Sequence, residues 1–376
     1  MTDPDRHDDM SRPPDRRNRV RIGAILATVL VVLLGGAAIG WAVAQQEQGG
    51  GAGEGVATAE TESAATETPR QTETSTADAA PKDCPEATVE VSSADELQQA
   101  LDDAKPGDVI DLAPGTYRGE FTATADGRPD AAITVCGTAE SILDGGGIEG
   151  GYVFHLDNVA HWVLQGFAVQ NGQKGVMADG TTGSVIRGLQ ISGIGDEAIH
   201  LRDASTDNTV VGNTITDTGL RKPKFGEGIY IGTAESNWCD ITDCEPDPSD
   251  RNVIEANSIS RTTSESVDIK EGTSDGILRG NSFDGSSLVE ADSWVDVKGN
   301  GWLIDGNTGT NSAADGFQTH EILDGWGTRN IFRDNSAQLE GSGTAFSLTP
   351  ERDNVVECSN TVSDSGAQLS NVECTN

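Results

Sequence analysis

From about residue 150 the chain repeats a short alternating strand, a turn and a second strand that carries asparagine. The second strands read VVGNTI (210–215), VIEANSI (253–259), ILRGNSF (277–283), WLIDGNTG (302–309), IFRDNSA (331–337) and VVECSNTV (355–362). Their asparagines, Asn213, Asn257, Asn281, Asn307, Asn335 and Asn360, lie 24 to 28 residues apart, with one gap of 44. The first strands contain AIHLR (198–202), GIYIG (228–232), SVDIK (266–270), WVDVK (294–298), GFQTH (316–320) and AFSLT (345–349). Alternation with period two marks strands, and a repeat of this length marks one coil of a solenoid. We therefore expect an all-β fold, a right-handed parallel β-helix over residues 84–376, with the asparagines stacked in a buried ladder at one corner.

An open solenoid end exposes core and strand edge. SADELQQALDDA (93–104) predicts a short capping helix there, with Ser93 and Glu96 as a capping box and Leu97, Ala100, Leu101 and Ala104 on one face. Upstream, residues 1–21 hold six Arg against five Asp and form a basic tail. Residues 22–44, IGAILATVLVVLLGGAAIGWAVA, are uncharged and long enough to cross a bilayer as a single transmembrane helix. The basic flank orients the rest outward, so we expect a single-pass membrane protein with its bulk extracytoplasmic. AVA at 42–44 also fits a signal-peptide cleavage site, in which case the domain is secreted. Residues 45–83, rich in Gly, Ala, Thr and Glu, read as a disordered stalk.

All six cysteines, Cys84, Cys136, Cys239, Cys244, Cys358 and Cys374, lie beyond the apolar segment, as expected for disulfides in an exported domain. Several pairings are open; we expect the three consecutive ones. A net charge of −36 argues against nucleic acid and anionic membrane surfaces as partners. We expect a monomer.

Val-Asp-aliphatic-Lys occurs at 267–270 and again at 295–298, in a chain with only seven lysines. With Val267 and Ile269 inward, Ser266, Asp268 and Lys270 face outward. Stacking the coils at about 4.8 Å then gives three outward columns. The first contains Ser266 and Trp294. The second runs His200, Tyr230, Asp268, Asp296, Gln318 and Ser347. The third runs Arg202, Gly232, Lys270, Lys298, His320 and Thr349. A crossed salt-bridge ladder of no function would share this pattern. Trp294 and Tyr230 beside His200, Arg202, Gln318 and His320 fit a sugar-binding face better. Glu197, Glu227, Glu265 and Asp315 recur in a further register, where they cap turns or hold a cation. The insert TAESNWCDITDCEPDPSD (233–250) occupies the 44-residue gap as an acidic loop beside Lys270, and Trp238 and Trp326 lie in loops.

AKPGDVIDLAPGTYRGEF (104–121), AAITVCGTAESILDGGG (131–147) and the asparagine coils resemble exported β-helix polysaccharide lyases of the pectate lyase and chondroitinase B/alginate lyase kinds. The resemblance implies Ca²⁺-dependent β-elimination of a uronic-acid polymer, with a lysine as base, an arginine assisting and acidic residues holding the ion. Carried over, Lys270 is the base and Lys298 the cation that lowers its pKa, or the reverse. Arg202 and His320 complete the catalytic set, Trp294, Tyr230, His200 and Gln318 bind substrate, and Asp268, Asp296 and Glu271 hold Ca²⁺. The full calcium cluster of those families is not in matching register. Two other readings stay open at this point: a glycoside hydrolase using Asp268 and Asp296, and a non-catalytic glycan- or wall-binding solenoid.

Overall fold

A computed structural model describes residues 84–376 except 313, 350, 364 and 365. The basic tail, the apolar segment 22–44 and the stalk 45–83 lie outside the described residues. Each coil gives one strand to each of three parallel sheets, one of eleven strands and two of ten. The first sheet runs from Val89–Val91 to Val355–Val356, the second from Gly115–Arg118 to Thr361–Val362, and the third from Phe121–Ala123 to Gln368–Ser370. The parallel β-solenoid expected from the repeat is the fold of this chain.

Like residues stack on like, because parallel pairing places each coil's inward side chain on the one before. Val210, Ile254, Leu278, Ile304, Phe332 and Val356 follow one another in the first sheet. Ile229, Val267, Val295, Phe317 and Phe346 do so in the third, the last two rings stacked at 5.1 Å. Most of these strands are only three residues long, so interior columns, rather than strand length, carry the stability.

The asparagine ladder lies at the corner between the first and second sheets. Asn213, Asn257, Asn281, Asn307 and Asn335 each donate Nδ2 to the Oδ1 of the next asparagine, at 2.9 to 3.0 Å. The same Oδ1 accepts the backbone N–H of the preceding asparagine, as Asn281 does for Asn257. Each amide thereby pairs turn groups that would otherwise be buried without partners. A second corner carries a similar series that the sequence reading missed, including Asn208 to Asn252 and Asn330 to Asn354.

At the N-terminal end of the described solenoid, the helix Ala94–Asp103 buries Leu97 and Leu101 in the core. Ser93 caps it by accepting the Glu96 N–H. Glu96 reaches back to the Ser92 N–H and hydroxyl instead of the cap residue's own amide. The disulfides are Cys84–Cys136, Cys239–Cys244 and Cys358–Cys374, the consecutive pairing expected.

Trp294 departs from expectation. Strand alternation places it outward, but it is 0% exposed and lies inside the solenoid, its ring against Phe317 and its Nε1 donating to the Thr310 carbonyl. It occupies the corner just before the strand Val295–Val297, where two consecutive residues turn inward. Gly309 and Gly316 make room for it: a Cβ on either would lie within 2.7 Å of the indole. The corner also turns the residue before Ser266 outward, so Glu265 joins the face that bears Asp268.

Replacing Asn281 by Ala should strand the Asn257 N–H and the Ile254 carbonyl, costing about 1–3 kcal/mol per unpaired group. Urea unfolding measures this, and a loss below about 0.5 kcal/mol would mean the ladder adds nothing to stability.

Candidate active site

The third sheet aligns His200, Tyr230, Asp268, Asp296, Gln318 and Ser347 in successive coils, the second column read from the sequence. Lys270 and Lys298 follow on the same outer face. Their backbone N–H groups donate to Ile231 and Ile269, which continues the register beyond the strands. The face is far drier than a solvated ladder: Asp268 is 2% exposed and Lys298 is 7% exposed. Tyr230, Glu265, Lys270 and His320 are less fully covered, the Lys270 side chain keeping 11% and the His320 side chain 38% of its surface exposed.

Asp268 is the hub. Its two oxygens receive Lys270 Nζ and Lys298 Nζ, each at 2.8 Å. Lys298 also bonds Asp296 at 2.8 Å, and the other Asp296 oxygen accepts His320 Nδ1 at 2.8 Å. Acid and base thus alternate diagonally across coils, which removes the like-charge repulsion of a simple stack. Lys270 Nζ also lies 5.0 Å from the centre of the Tyr230 ring. The Tyr230 hydroxyl has no partner among the described residues.

These pairings reverse the expected lysine chemistry. Burial alone would lower the Lys270 ammonium, but Asp268, by charge and hydrogen bond, with Glu271 and Glu265, holds it well above the usual lysine range. Lys298 is opposed by burial in the same way and is raised by Asp268 and Asp296. Each lysine therefore rests as a cation, because the carboxylate between them outweighs their mutual repulsion. Burial would raise Asp296, yet Lys298 and the His320 hydrogen bond hold it well below the carboxylate range. His320 is raised, first by its hydrogen bond to Asp296. Burial, then Asp268 and Glu227, push the Tyr230 phenol well above its ordinary value.

The expected calcium ligands do not fit an ion. Both oxygens of Asp268 and of Asp296 are taken by cations, and Glu271 accepts the Glu235 N–H at 2.6 Å, tying the insert to the site. Asp268 also closes a second acidic group, in which Glu227, Glu265 and Asp268 bring one oxygen each within 4.8 Å of one another. Burial, then Glu197, Glu265 and Asp268, push the Glu227 carboxyl well above the usual carboxylate range. A usable signal for Glu227 and Glu265 lies in their spacing, each three residues before the column position of its coil.

The remaining expected residues occupy supporting positions. His200 lies beneath Tyr230, ring centres 4.4 Å apart, and its Nε2 pairs with the Gly232 carbonyl at 3.0 Å. Burial, then Lys174 and Arg202, push its pKa well below normal, so it is neutral. It is too buried to bind substrate directly. Arg202 bonds Asp179 at 2.7 Å and belongs to a separate cluster with His155 and Tyr152, two coils from Lys270. Gln318 is buried and donates to Asp315 at 3.1 Å. Gly232, at φ +85°, lets the chain pass close to Thr273: an added Cβ would lie 2.5 Å from Thr273 Cγ2. In the insert, Trp238 packs under its own loop by donating to the Thr233 carbonyl, and Asp247 is consumed in capping Asp203 and Ala204.

A solved alginate lyase from Paenibacillus sp. str. FPU-7 is 32% identical, with a TM-score of 0.67, covering 75% of this chain and 99% of that one. This chain belongs to that alginate lyase family. As a member of the alginate lyase family, it acts on polysaccharide. More distant solved structures include a pectate lyase, at 14% identity and TM-score 0.49 over 72% of each chain. A mannuronan C-5 epimerase module from Azotobacter vinelandii aligns at 15% identity and TM-score 0.45, over 75% of this chain and 92% of that one. No protein-family model matches the sequence, and no curated protein does.

Removing the Asp268 charge leaves two cations facing each other. Asp268→Asn should cost about 3–5 kcal/mol at neutral pH. The lysine pairs stabilise the fold below the unfolded lysine pKa, about 10.4, and lose that effect as pH rises through the raised folded values. The difference between wild type and variant should therefore be flat across neutral pH and shrink only in strong alkali. Denaturant midpoints against pH measure it; a gap that closes near pH 7 would contradict the pairing.

Proposed function

We propose that the protein is a polysaccharide lyase that cleaves a uronic-acid polymer of the alginate class by β-elimination. One observation carries the reading: on the accessible face, the Lys270 amine lies over the ring of Tyr230, whose hydroxyl is unpartnered. A base and an acid beside each other can serve the same side of a sugar ring. That suits a uronate whose C5 hydrogen and C4 oxygen leave from one face.

Lys270, in its neutral form, takes the C5 proton. The electrons of that C–H bond form the C4=C5 double bond as the C4–O4 bond breaks, and Tyr230 gives its phenolic proton to O4. One product carries an unsaturated uronide at its new non-reducing end, and the other carries a hydroxyl. Proton exchange with water then resets both side chains. Lys298 donates to Asp268 and Asp296 and, at 7% exposed, acts on the substrate by its charge rather than by direct contact. Its positive charge favours the enolate that develops as C5 loses its proton. Calcium is given no step here, because Asp268 and Asp296 are engaged by Lys270, Lys298 and His320 while Glu271 accepts the Glu235 N–H.

A hydrolytic Asp268/Asp296 pair is disfavoured, since both oxygens of each carboxylate are engaged by Lys270, Lys298 or His320, leaving neither placed to give a proton to a leaving group. The exported, membrane-anchored placement read from residues 1–44 agrees with a polymeric substrate outside the cell.

Uronan incubated with the protein should gain absorbance from the unsaturated product. Lys270→Ala should abolish the gain, and Tyr230→Phe should reduce it by about 10²–10⁴-fold. Formation of reducing ends without unsaturation would replace this reading by hydrolysis; glycan binding without product would leave a binding solenoid. Because Lys270 rests as a cation and Tyr230 as a phenol, kcat/KM should climb about tenfold per pH unit from neutrality into mild alkali. An acid optimum would exclude Lys270 as the base. Turnover should also survive EDTA, and its complete loss on chelation, with recovery on added Ca²⁺, would assign the enolate charge to a metal.

A further inference from the structure

Five of the seven lysines, Lys174, Lys222, Lys224, Lys270 and Lys298, lie on the third-sheet face or on the loop leading into it, in a chain of net charge −36. Three of these have been placed: Lys174 pairs with Glu197, while Lys270 and Lys298 pair with Asp268. Lys222 and Lys224 belong to the loop RKPKF, 221–225, directly before the strand that carries Tyr230. Neither ammonium has a carboxylate within ion-pair distance among the described residues. Both instead lie against one aromatic ring, with Lys222 Nζ 5.5 Å and Lys224 Nζ 4.6 Å from the centre of Phe225.

The loop is built rigidly. Arg221 is spent on Asp196 in the preceding coil, with Nε at 3.0 Å. The Arg221 N–H donates to the Gly195 carbonyl at 2.8 Å. Thr263, in the following coil, donates its hydroxyl to the Pro223 carbonyl at 2.7 Å. Gly219 and Gly226 permit close approach there, since a Cβ on either would strike the Thr263 hydroxyl. Thr263 also accepts the N–H groups of Val289 and Glu290 through its carbonyl. A continuous edge thus follows the coil stack past Glu227 and Glu265, with two unpaired cations fixed on it. Cations left over in so acidic a chain, held in place by an aromatic ring and by pinned backbone, are arranged to receive an anion.

We infer that Lys222 and Lys224 form a carboxylate-binding subsite, which holds a uronate of the polymer away from the bond being cleaved. This inference rests on the reading of the face as a uronan groove. It adds a specificity element, because a neutral glycan gains nothing from these amines. Extended polyuronate gains two charge-assisted contacts that a short fragment confined to the Lys270 site does not reach.

The test separates this subsite from catalysis by measuring binding. Calorimetric titration of the whole protein with polyuronate at low salt should give a Kd that rises about tenfold or more in Lys222→Gln/Lys224→Gln. The double control Lys105→Gln/Arg128→Gln removes the same charge from exposed sites elsewhere and should leave Kd unchanged. The loop variant should also lose much of the salt dependence of binding. If the loop and control variants bind alike, or if the wild type does not bind polyuronate, the subsite is overturned. In turnover, KM for polymer should rise with kcat nearly constant; an equal fall in kcat would overturn the subsite and implicate the loop in the reaction itself. A protein that binds polyuronate through these lysines but yields no unsaturated product would sink the lyase reading and leave the subsite standing.

Discussion

Register between coils is the constraint on which everything else depends. A three-residue strand forms too few backbone hydrogen bonds to choose its partner alignment alone. The choice is made at the corners, where each buried asparagine amide meets the amide of the next coil and the turn groups of the one before. A slip of one residue would break this series and turn every interior side chain outward. With register fixed, Asp268 must lie over Asp296, and Lys298 is placed to reach both.

The site shows how a stack of charge is made tolerable. Four ionisable side chains of two adjacent coils form one alternating network, and the network sets the protonation of each member. Asp268 keeps both lysines charged although they lie side by side and mostly out of water. The result is a centre whose resting state is a pair of ammonium groups beside a neutral phenol. Such a centre is strong in electrostatic stabilisation and poor in free base, so under the proposed lyase chemistry its rate would follow pH.

Much of this was legible in the sequence because periodicity is a local property. The asparagine spacing gave the solenoid, and the second Val-Asp-aliphatic-Lys motif gave the outer column in correct register. Trp294 was misread because strict alternation was carried one residue too far, into a corner where two neighbours both turn inward. The space that admits its indole comes from Gly309 and Gly316, in other parts of the fold, and no local pattern reveals it. The lysine pKa values were misjudged for a related reason. Stacking showed that the cations were neighbours, but only side-chain geometry shows the carboxylate between them. Glu227 and Glu265 were visible as a recurrence, and their membership of the face required the same corner. The expected calcium ligands were chosen by residue type, which does not tell whether a carboxylate is already occupied.

The insert at 233–250 lengthens one coil by almost a full repeat, yet Asn213 still bonds Asn257 across it at the distance found in coils without an insert. The Tyr230–Asp268 alignment across the same interval is equally undisturbed. Strand register is therefore kept across a turn of very different length, although the insert still reaches the charged face through the Glu235 N–H on Glu271. Rims of different length and charge could be grafted onto the same scaffold, so that the glycans it meets would diversify while the charged column stayed constant.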